Sequence, residues 1–424
     1  MLAFLLPERE TKEMTADMKV LLINHFPLAG SGSGTYTKNL AVHLAERGHE
    51  VAILLPENTE EFDEVPGVRL RPVYFTPEDG SPAPDGALPF NFPCFTTHPR
   101  STMTFGDLSS AEFSNYMEAF NRVLQEEIEA NRPDVIHGQH VWVLSSLAAD
   151  QSIPLVLTAH GTDLMGFDNW PELRDYAKHA MDACRAVISI SKDNCVLLEE
   201  RFPESRDKVV MMRNGYDPAV FYQEALDRRE ILGLYGIAKE EFKDKKIVIY
   251  AGKLTQMKAV DVLLQAVRLY EDRLPETLTL IVGDGEEREE LEHLAEDLRL
   301  QSVRFLDNVD QQSLRRLYNV SDISVVPSRR EAFGLVALEA MACGIPVVAT
   351  NSGGLPDFVN DEVGVLVKPE DPQDLAEGIM NALMRADGPS FPEWRRIIAN
   401  YVRTQYAQDT IIHELEELYQ RSIQ

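Results

Sequence analysis

The chain reads as an α/β protein built from two doubly wound, Rossmann-like domains, and three observations predict it. Short runs rich in Val, Ile and Leu recur along both halves, and runs that are apolar at successive positions belong to strands covered on both faces. Amphipathic stretches separate the runs at the spacing of helical crossovers between parallel strands. A length of 424 residues suits two or three domains of ordinary size.

Taken in order, VLLINHF after Met18, a helix over Asn39 to Arg47 and EVAILLP form a strand, a helix and a strand. The alternation returns at PDVIHGQH, at IPLVLTAHG after a helix over Trp142 to Asp150, at AVISIS and at KVVMMRNG. Between Pro56 and Thr104 the crossover gives way to a stretch rich in Pro, Gly and acids (PEDGSPAPDGALPFNFP), which predicts a long excursion over the mouth of the sheet. After a charged segment from Gln223 to Lys246, the runs KIVIYAGKL, LTLIVGDG, VRFLDNV, DISVVPS, IPVVATN and EVGVLVKP build the second series. Residues 392–424 are helical by period. The predicted organisation is an extension over 1–17, a first domain over 18–220, a second over 221–391 and C-terminal helices over 392–424 packing back on the first. Ligands of open parallel sheets bind outside the carboxyl ends of the strands, so the site is expected in the interdomain cleft.

Charge narrows the partners. Lys plus Arg number 41 against 69 Asp plus Glu, a formal net charge of −28. Residues 1–200 carry 30 acids and 14 bases (−16) and residues 201–424 carry 39 and 27 (−12), so neither half is a basic platform for nucleic acid. No cluster of Lys and Arg suits anionic lipid, and no apolar run approaches 18 residues. Leu2 to Leu6 are apolar but lack a preceding basic region, which speaks against a secretion signal and leaves Met18 as an alternative start. Cys94, Cys184, Cys195 and Cys343 form no C-x-x-C, which fits a reducing compartment, and the cytoplasm is the expected location. A homo-oligomer is left open.

Several motifs carry chemistry. Gly30-Ser-Gly-Ser-Gly34-Thr35 follows a strand and opens a helix, a place where backbone amides can cradle a phosphate. Thr35 stands where a dinucleotide fingerprint needs glycine, so a Rossmann NAD site is disfavoured; a flexible Gly/Ser turn is the bland alternative. The second G-x-G, in Leu280-Ile-Val-Gly-Asp-Gly285, is followed by Glu286, Glu287, Glu289 and Glu290, acids that would repel a pyrophosphate. It is expected to touch an uncharged part of a ligand or only to turn the chain.

The most informative stretch is SRREAFGLVALEAMACGIPVVAT, residues 328–350. Its pattern predicts a helix with Glu331 just before the first turn and Glu339 about two turns in. Glu331 has the reading of a helix cap. Glu339 falls among apolar residues, where a carboxylate is costly to bury without a polar partner such as a sugar or ribose hydroxyl. Lys253 and Lys258 lie where KIVIYAGKL hands over to a helix, and two cations at a helix start suit a diphosphate; the bland reading is two solvated lysines. His98, His137, His140 and His160 gather in the first half without metal-ligand spacing, so separate hydrogen-bonding roles are preferred to a metal.

Together these segments resemble the retaining glycosyltransferases of family 4, which have the two-domain GT-B fold, from about Met18 to Leu383. The family's Glu-x7-Glu motif stands here as Glu331 to Glu339, its Gly-Arg-Leu…Lys-Gly as Gly252-Lys253-Leu254…Lys258-Ala259, and its glycine-rich loop as Gly30 to Gly34. His160-Gly-Thr-Asp163, Asn214-Gly-Tyr-Asp217 and Ser352-Gly-Gly-Leu-Pro-Asp357 also match. The resemblance implies that Lys253 and Lys258 hold the donor diphosphate, that Glu339 accepts from ribose hydroxyls and that Glu331 holds hydroxyls of the transferred sugar. Backbone amides near Phe333, Gly334 and Leu335 would assist, Gly34 would let its loop approach the phosphates, and His160 would line the donor-sugar side. Lys253 departs from the usual Arg and lacks its planar fork; Ala259 departs from the usual Gly. His98-Pro-Arg100-Ser resembles an acceptor-side segment of some members, with Arg100 a candidate for an anionic group.

The implied reaction moves a hexosyl unit from a UDP- or GDP-sugar, as co-substrate, to a hydroxyl acceptor, with retention, without a metal and without a resident cofactor. Two other readings stay beside it: a sugar-nucleotide epimerase or hydrolase on the same fold, and a catalytically silent sugar-nucleotide-binding subunit.

Overall fold

Every strand predicted above forms in the computed structural model, and one further strand lies where none is predicted. The structure describes residues 17–62, 64–96, 98–243 and 245–424; the expected extension over residues 1–16 lies outside them. One sheet has seven strands, β1 (Lys19–Ile23), β2 (Glu50–Glu57), β3 (Val68–Tyr74), β4 (Val135–Gly138), β5 (Leu155–Ala159), β6 (Ala186–Ser189) and β7 (Val209–Met211), in the order β3-β2-β1-β4-β5-β6-β7. The other has six, β8 (Lys246–Ala251), β9 (Thr277–Val282), β10 (Val303–Leu306), β11 (Ile323–Val326), β12 (Val347–Thr350) and β13 (Gly364–Val367), in the order β10-β9-β8-β11-β12-β13. Both are doubly wound. The order reverses beside β1 in the first and beside β8 in the second, and such switch points are where the chain leaves a crevice for a ligand.

The unpredicted strand is β3, which pairs in parallel with β2 inside the long excursion. Its sequence VRLRPVY is half-buried, as an edge strand is, so it carries no continuous apolar run. The two arginines meet a 22-residue helix, Ser110–Asn131, through Arg69 to Glu127 (2.8 Å) and Arg71 to Glu126 (2.8 Å).

The chain forms two units. One holds the described residues up to Thr158 with Met165–Ala186 and Ile412–Gln424; the other holds Ala159–Leu164 and Val187–Ile411. In the second, residues of β8 alternate between two cores: Ile247, Ile249 and Ala251 share one with Leu338, Met341 and Tyr406, and Val248 and Tyr250 share the other with Val260, Leu263 and Ile379. Burial on both faces is what the near-continuous apolar composition of these strands requires.

Of the C-terminal helices expected to return to the first domain, Phe391–Tyr406 packs in the second unit instead, with Trp394, Ile398, Val402 and Tyr406 in its core. The return is made by the last helix, Gln408–Ile423, from Ile412 onward. The motif Asn214–Asp217 sits at the crossing, where Tyr216 N–H donates to the Tyr406 carbonyl and the Tyr216 carbonyl accepts from Gln408 N–H, both at 3.0 Å. Within the first unit the last helix is held by Glu416, whose fully buried carboxylate accepts from Arg47 Nε (2.6 Å), Arg47 Nη2 (2.7 Å) and His49 Nε2 (2.9 Å). His49 Nδ1 accepts from Met18 N–H at 3.1 Å, which places the ring proton on Nε2.

Candidate active site

The switch point of the six-stranded sheet brings two loops together. After β8 the chain runs through Gly252 to Leu254 and a short 3-10 turn, Gln256–Lys258, into the helix Val260–Glu271. After β11 it runs through Ser328 to Glu331 and enters the helix Leu335–Ala342. β8 and β11 are neighbours, so the loops at their carboxyl ends face one another.

Lys258 and Glu331 meet there. Lys258 Nζ donates to Glu331 Oε2 at 2.6 Å, and Ser328 Oγ, fully buried, donates to the same oxygen at 3.0 Å. Glu331 is 8% exposed, a carboxyl group taken largely out of water whose Oε2 is met by an ammonium and a hydroxyl. It is therefore not a helix cap: the helix begins four residues later, with Gly334 at its N-cap position. Its backbone is pinned too, the carbonyl accepting from Gly354 N–H at 3.0 Å. Gly353 passes so close, at φ +56°, that a Cβ there would lie 1.7 Å from the Glu331 carbonyl oxygen. Gly353→Ala is expected to lower stability by about 1–3 kcal/mol and to displace Glu331; urea unfolding midpoints compared with wild type check it.

Glu339 is the fifth residue of the helix, little more than one turn in rather than two, because the helix starts late. Among the described residues its carboxyl makes no hydrogen bond or ion pair, and burial pushes it up to about 7. Phe333 is buried and its ring packs on Phe358 at 5.4 Å, so it offers the site only its backbone. Gly334 adopts φ +100° where a Cβ would meet Leu355 at 2.6 Å, and Leu335 begins the helix, leaving the first-turn amides without intrahelical acceptors.

Lys253 stands apart from the Lys258–Glu331 pair. Its ammonium lies 3.6 Å from Glu286 with both side chains about half exposed, while its carbonyl accepts from the buried Tyr250 hydroxyl at 3.0 Å. The second G-x-G turns the chain against this loop: a Cβ on Gly283 would lie 2.0 Å from the Gly252 carbonyl and one on Gly285 2.2 Å from the Leu254 carbonyl. Glycine is needed there for backbone against backbone. Ala259 takes the left-handed conformation, φ +53°, which a side chain tolerates at a cost of about 1–2 kcal/mol; its methyl is fully buried among Val260 and Leu263 in the same core, which offsets part of it.

His160 follows β5 and is 9% exposed, and burial lowers its pKa to about 3, which keeps the ring neutral. Gly34 lies in the first turn of a helix that starts earlier than predicted, Gly32–Glu46, because Ser31 caps it: Ser31 Oγ accepts from Gly34 N–H at 3.0 Å. A Cβ on Gly34 would sit 2.2 Å from the Pro27 carbonyl. The loop is thus a capped, tightly packed helix start and no loose turn.

On the predicted acceptor side, Arg100 donates to the buried Glu57 at 2.8 Å and to Asn58 at 3.1 Å, and His98 Nε2 lies 3.0 Å from the Ala29 carbonyl. His137 is wedged between Tyr419 OH (2.6 Å) and Thr158 Oγ1 (2.7 Å). Among the described residues no group of three or more His, Cys, Asp or Glu is placed to hold a metal ion, and no helix is long and apolar enough to cross a membrane. Sequence reasoning missed Ser328 and Tyr250. The signal for Ser328 was its place three residues before Glu331 on a strand end, and for Tyr250 its hydroxyl-bearing ring in an otherwise aliphatic strand.

Known proteins resemble this chain in sequence and in fold. Residues 237–402 match the family model for glycosyl transferases group 1, and residues 30–220 match that for glycosyltransferase family 4. A D-inositol 3-phosphate glycosyltransferase of Saccharomonospora viridis is 30% identical over 89% of this chain and 85% of its own. Among solved structures, a sucrose-phosphate synthase from Thermosynechococcus elongatus superposes with a TM-score of 0.71 at 22% identity, covering 95% of this chain and 98% of that one. Anabaena HepE, in complex with UDP and glucose, does so with a TM-score of 0.70 at 20% identity, over 95% and 100%. With two parallel sheets, the paired Lys258 and Glu331 and a relative matched along most of its length, the chain belongs to the group 1 glycosyltransferases of family 4 and has their GT-B fold.

Proposed function

We propose that this glycosyltransferase moves a hexosyl unit from a nucleoside diphosphate sugar to a hydroxyl acceptor with retention and without a divalent metal. The observation that carries the reading is the Lys258–Glu331–Ser328 cluster at the carboxyl ends of β8 and β11, with the unpartnered Glu339 carboxyl on the helix that follows. The diphosphate takes Lys258 and the first-turn amides of the Leu335–Ala342 helix, and Lys253 swings from its exposed pairing with Glu286 to share the charge. Glu331, released from Lys258, accepts from sugar hydroxyls while Ser328 holds its second lone pair. Glu339 accepts from the ribose. The anomeric carbon to phosphate oxygen bond breaks, the acceptor oxygen bonds the same face, and the departing phosphate oxygen takes the acceptor's proton. Cations and helix amides balance the charge on the leaving diphosphate, which is the work a divalent ion would otherwise do. The UDP held by HepE supports a uridine donor, with GDP-sugars as the alternative.

Thermal stabilisation by UDP, GDP, ADP and their sugar conjugates tests the donor, since a ligand at 100 times its Kd adds about 2.7 kcal/mol. NMR of the product's anomeric proton tests retention. The raised Glu339 pKa adds a pH signature. A carboxylate that accepts hydrogen bonds is the binding form, and with its pKa near 7 it is protonated as pH falls, so affinity for the nucleoside diphosphate weakens up to about tenfold per unit below 7. The terminal phosphate also titrates near pH 6; the difference between wild type and Glu339→Gln from pH 6 to 8.5 isolates the carboxyl. Superimposable profiles would remove Glu339 from the ribose site.

A further inference from the structure

The pair that carries the reaction is held by a residue on neither side of it. Arg329, two positions before Glu331, spends three N–H bonds on the segment that bears Lys258, Nη1 to the Gln256 carbonyl (2.5 Å) and Nη1 and Nη2 to the two oxygens of Asp261 (3.0 and 2.7 Å), and a fourth, from Nε, on Glu370 after β13 (2.9 Å). Its backbone N–H donates to the Met257 carbonyl at 2.9 Å, and its own carbonyl accepts from Ser352 Oγ at 2.9 Å. Gln256 and Met257 precede Lys258, and Asp261 stands in the first turn of the helix after it. The turn they frame contains Ala259 in its left-handed conformation, which has to be held from outside.

We infer that Arg329 is a positioning residue that splints the Lys258 turn to the Glu331 loop and so sets the spacing of cation and carboxylate. A planar fork engaging one carboxylate with two bonds fixes direction as well as distance, which a lysine cannot do. The kinetic part of this inference rests on the proposed function; the chemical part does not.

Two measurements separate them. In the first, the Lys258 amine is labelled with an acylating ester and followed by mass spectrometry. The ion-paired amine of wild type reacts slowly, and Arg329→Gln is expected to raise its labelling rate at least about fivefold, as a released amine is the reactive form. Unchanged labelling in Arg329→Gln overturns the inference whatever the enzyme's substrate. In the second, a double-mutant cycle crosses Arg329→Gln with Lys258→Ala. Each single change is expected to lower kcat by roughly 30- to 100-fold, and the double variant to fall no further than Lys258→Ala alone, because residues acting as a unit are not additive. Multiplicative losses would assign Arg329 a role independent of Lys258. Arg329→Lys, which keeps the charge, covers the case where Arg329→Gln does not fold, and 20 mM guanidinium is expected to recover activity in Arg329→Gln but not in Lys258→Ala. A wild-type chain that binds no nucleotide would sink the proposed function and leave the labelling result standing.

Discussion

Glu331→Gln is expected to lower kcat by about 10²- to 10³-fold while free nucleoside diphosphate binds more tightly than to wild type. The first half follows from the proposed reaction: preorganised polar groups around a reacting sugar contribute on this scale, and a neutral amide is a weaker acceptor. The second half follows from the ion pair. In the free protein Lys258 is already neutralised by Glu331 at 2.6 Å, so a diphosphate has to break that pair before it gains the ammonium. With glutamine at 331 the competition ends, and a gain of roughly three- to tenfold in affinity, up to about 1.4 kcal/mol, is expected for a partly exposed pair. Calorimetric titration of UDP into both proteins, beside initial rates with UDP-sugar, checks the two halves separately. A parallel loss of UDP affinity would show that Glu331 serves the nucleotide and not the sugar.

The same pairing explains why Lys258 and Lys253 are not equivalent, although the sequence presents them alike. Lys258 is 29% exposed and locked to an acid that is itself nearly buried; Lys253 is 47% exposed beside a still more exposed Glu286. The lysine at 253, where the family usually has arginine, is a flexible charge paired near the surface, while the ammonium of Lys258 is fixed by the acid and the loop around it.

The strands were legible in the sequence wherever both faces are covered, because apolar continuity then leaves no other reading. β3 was not, since an edge strand over a charged helix alternates Val68 and Leu70 with Arg69 and Arg71, carries Pro72 and mimics a polar loop. At the site, residue types were legible and their company was not. Lys258 and Glu331 are 73 residues apart, and only the strand order, which puts β11 beside β8, makes them neighbours. Glu331 looked like a cap because its spacing from the apolar helix suits one; the helix begins later because Gly334 takes a left-handed turn between them. Arg329 was invisible for the same reason as the pair, its partners being spread from Gln256 to Glu370.

Glu416→Ala is expected to lower stability by about 3 kcal/mol. The carboxylate is fully buried at the junction of the last helix with Arg47 and His49, and removing one member of such a cluster leaves the others without the acceptor that compensated their desolvation. Glu416→Gln, which keeps an acceptor of the same shape, is expected to lose less than half as much. Burial pushes this carboxyl up, but the hydrogen bonds and charges of Arg47 and His49 outweigh it and hold it below the usual range. An acid with a lowered folded pKa stabilises above its unfolded value and loses that contribution as pH falls through the folded one, so the gap between wild type and Glu416→Ala should be full above about pH 4.5 and shrink in more acid solution. Urea unfolding at pH 7 and below pH 4 measures both. If the gap were the same at the two pH values, the helix would be held by packing of Ile412, Leu415 and Tyr419 and not by the charge at its centre.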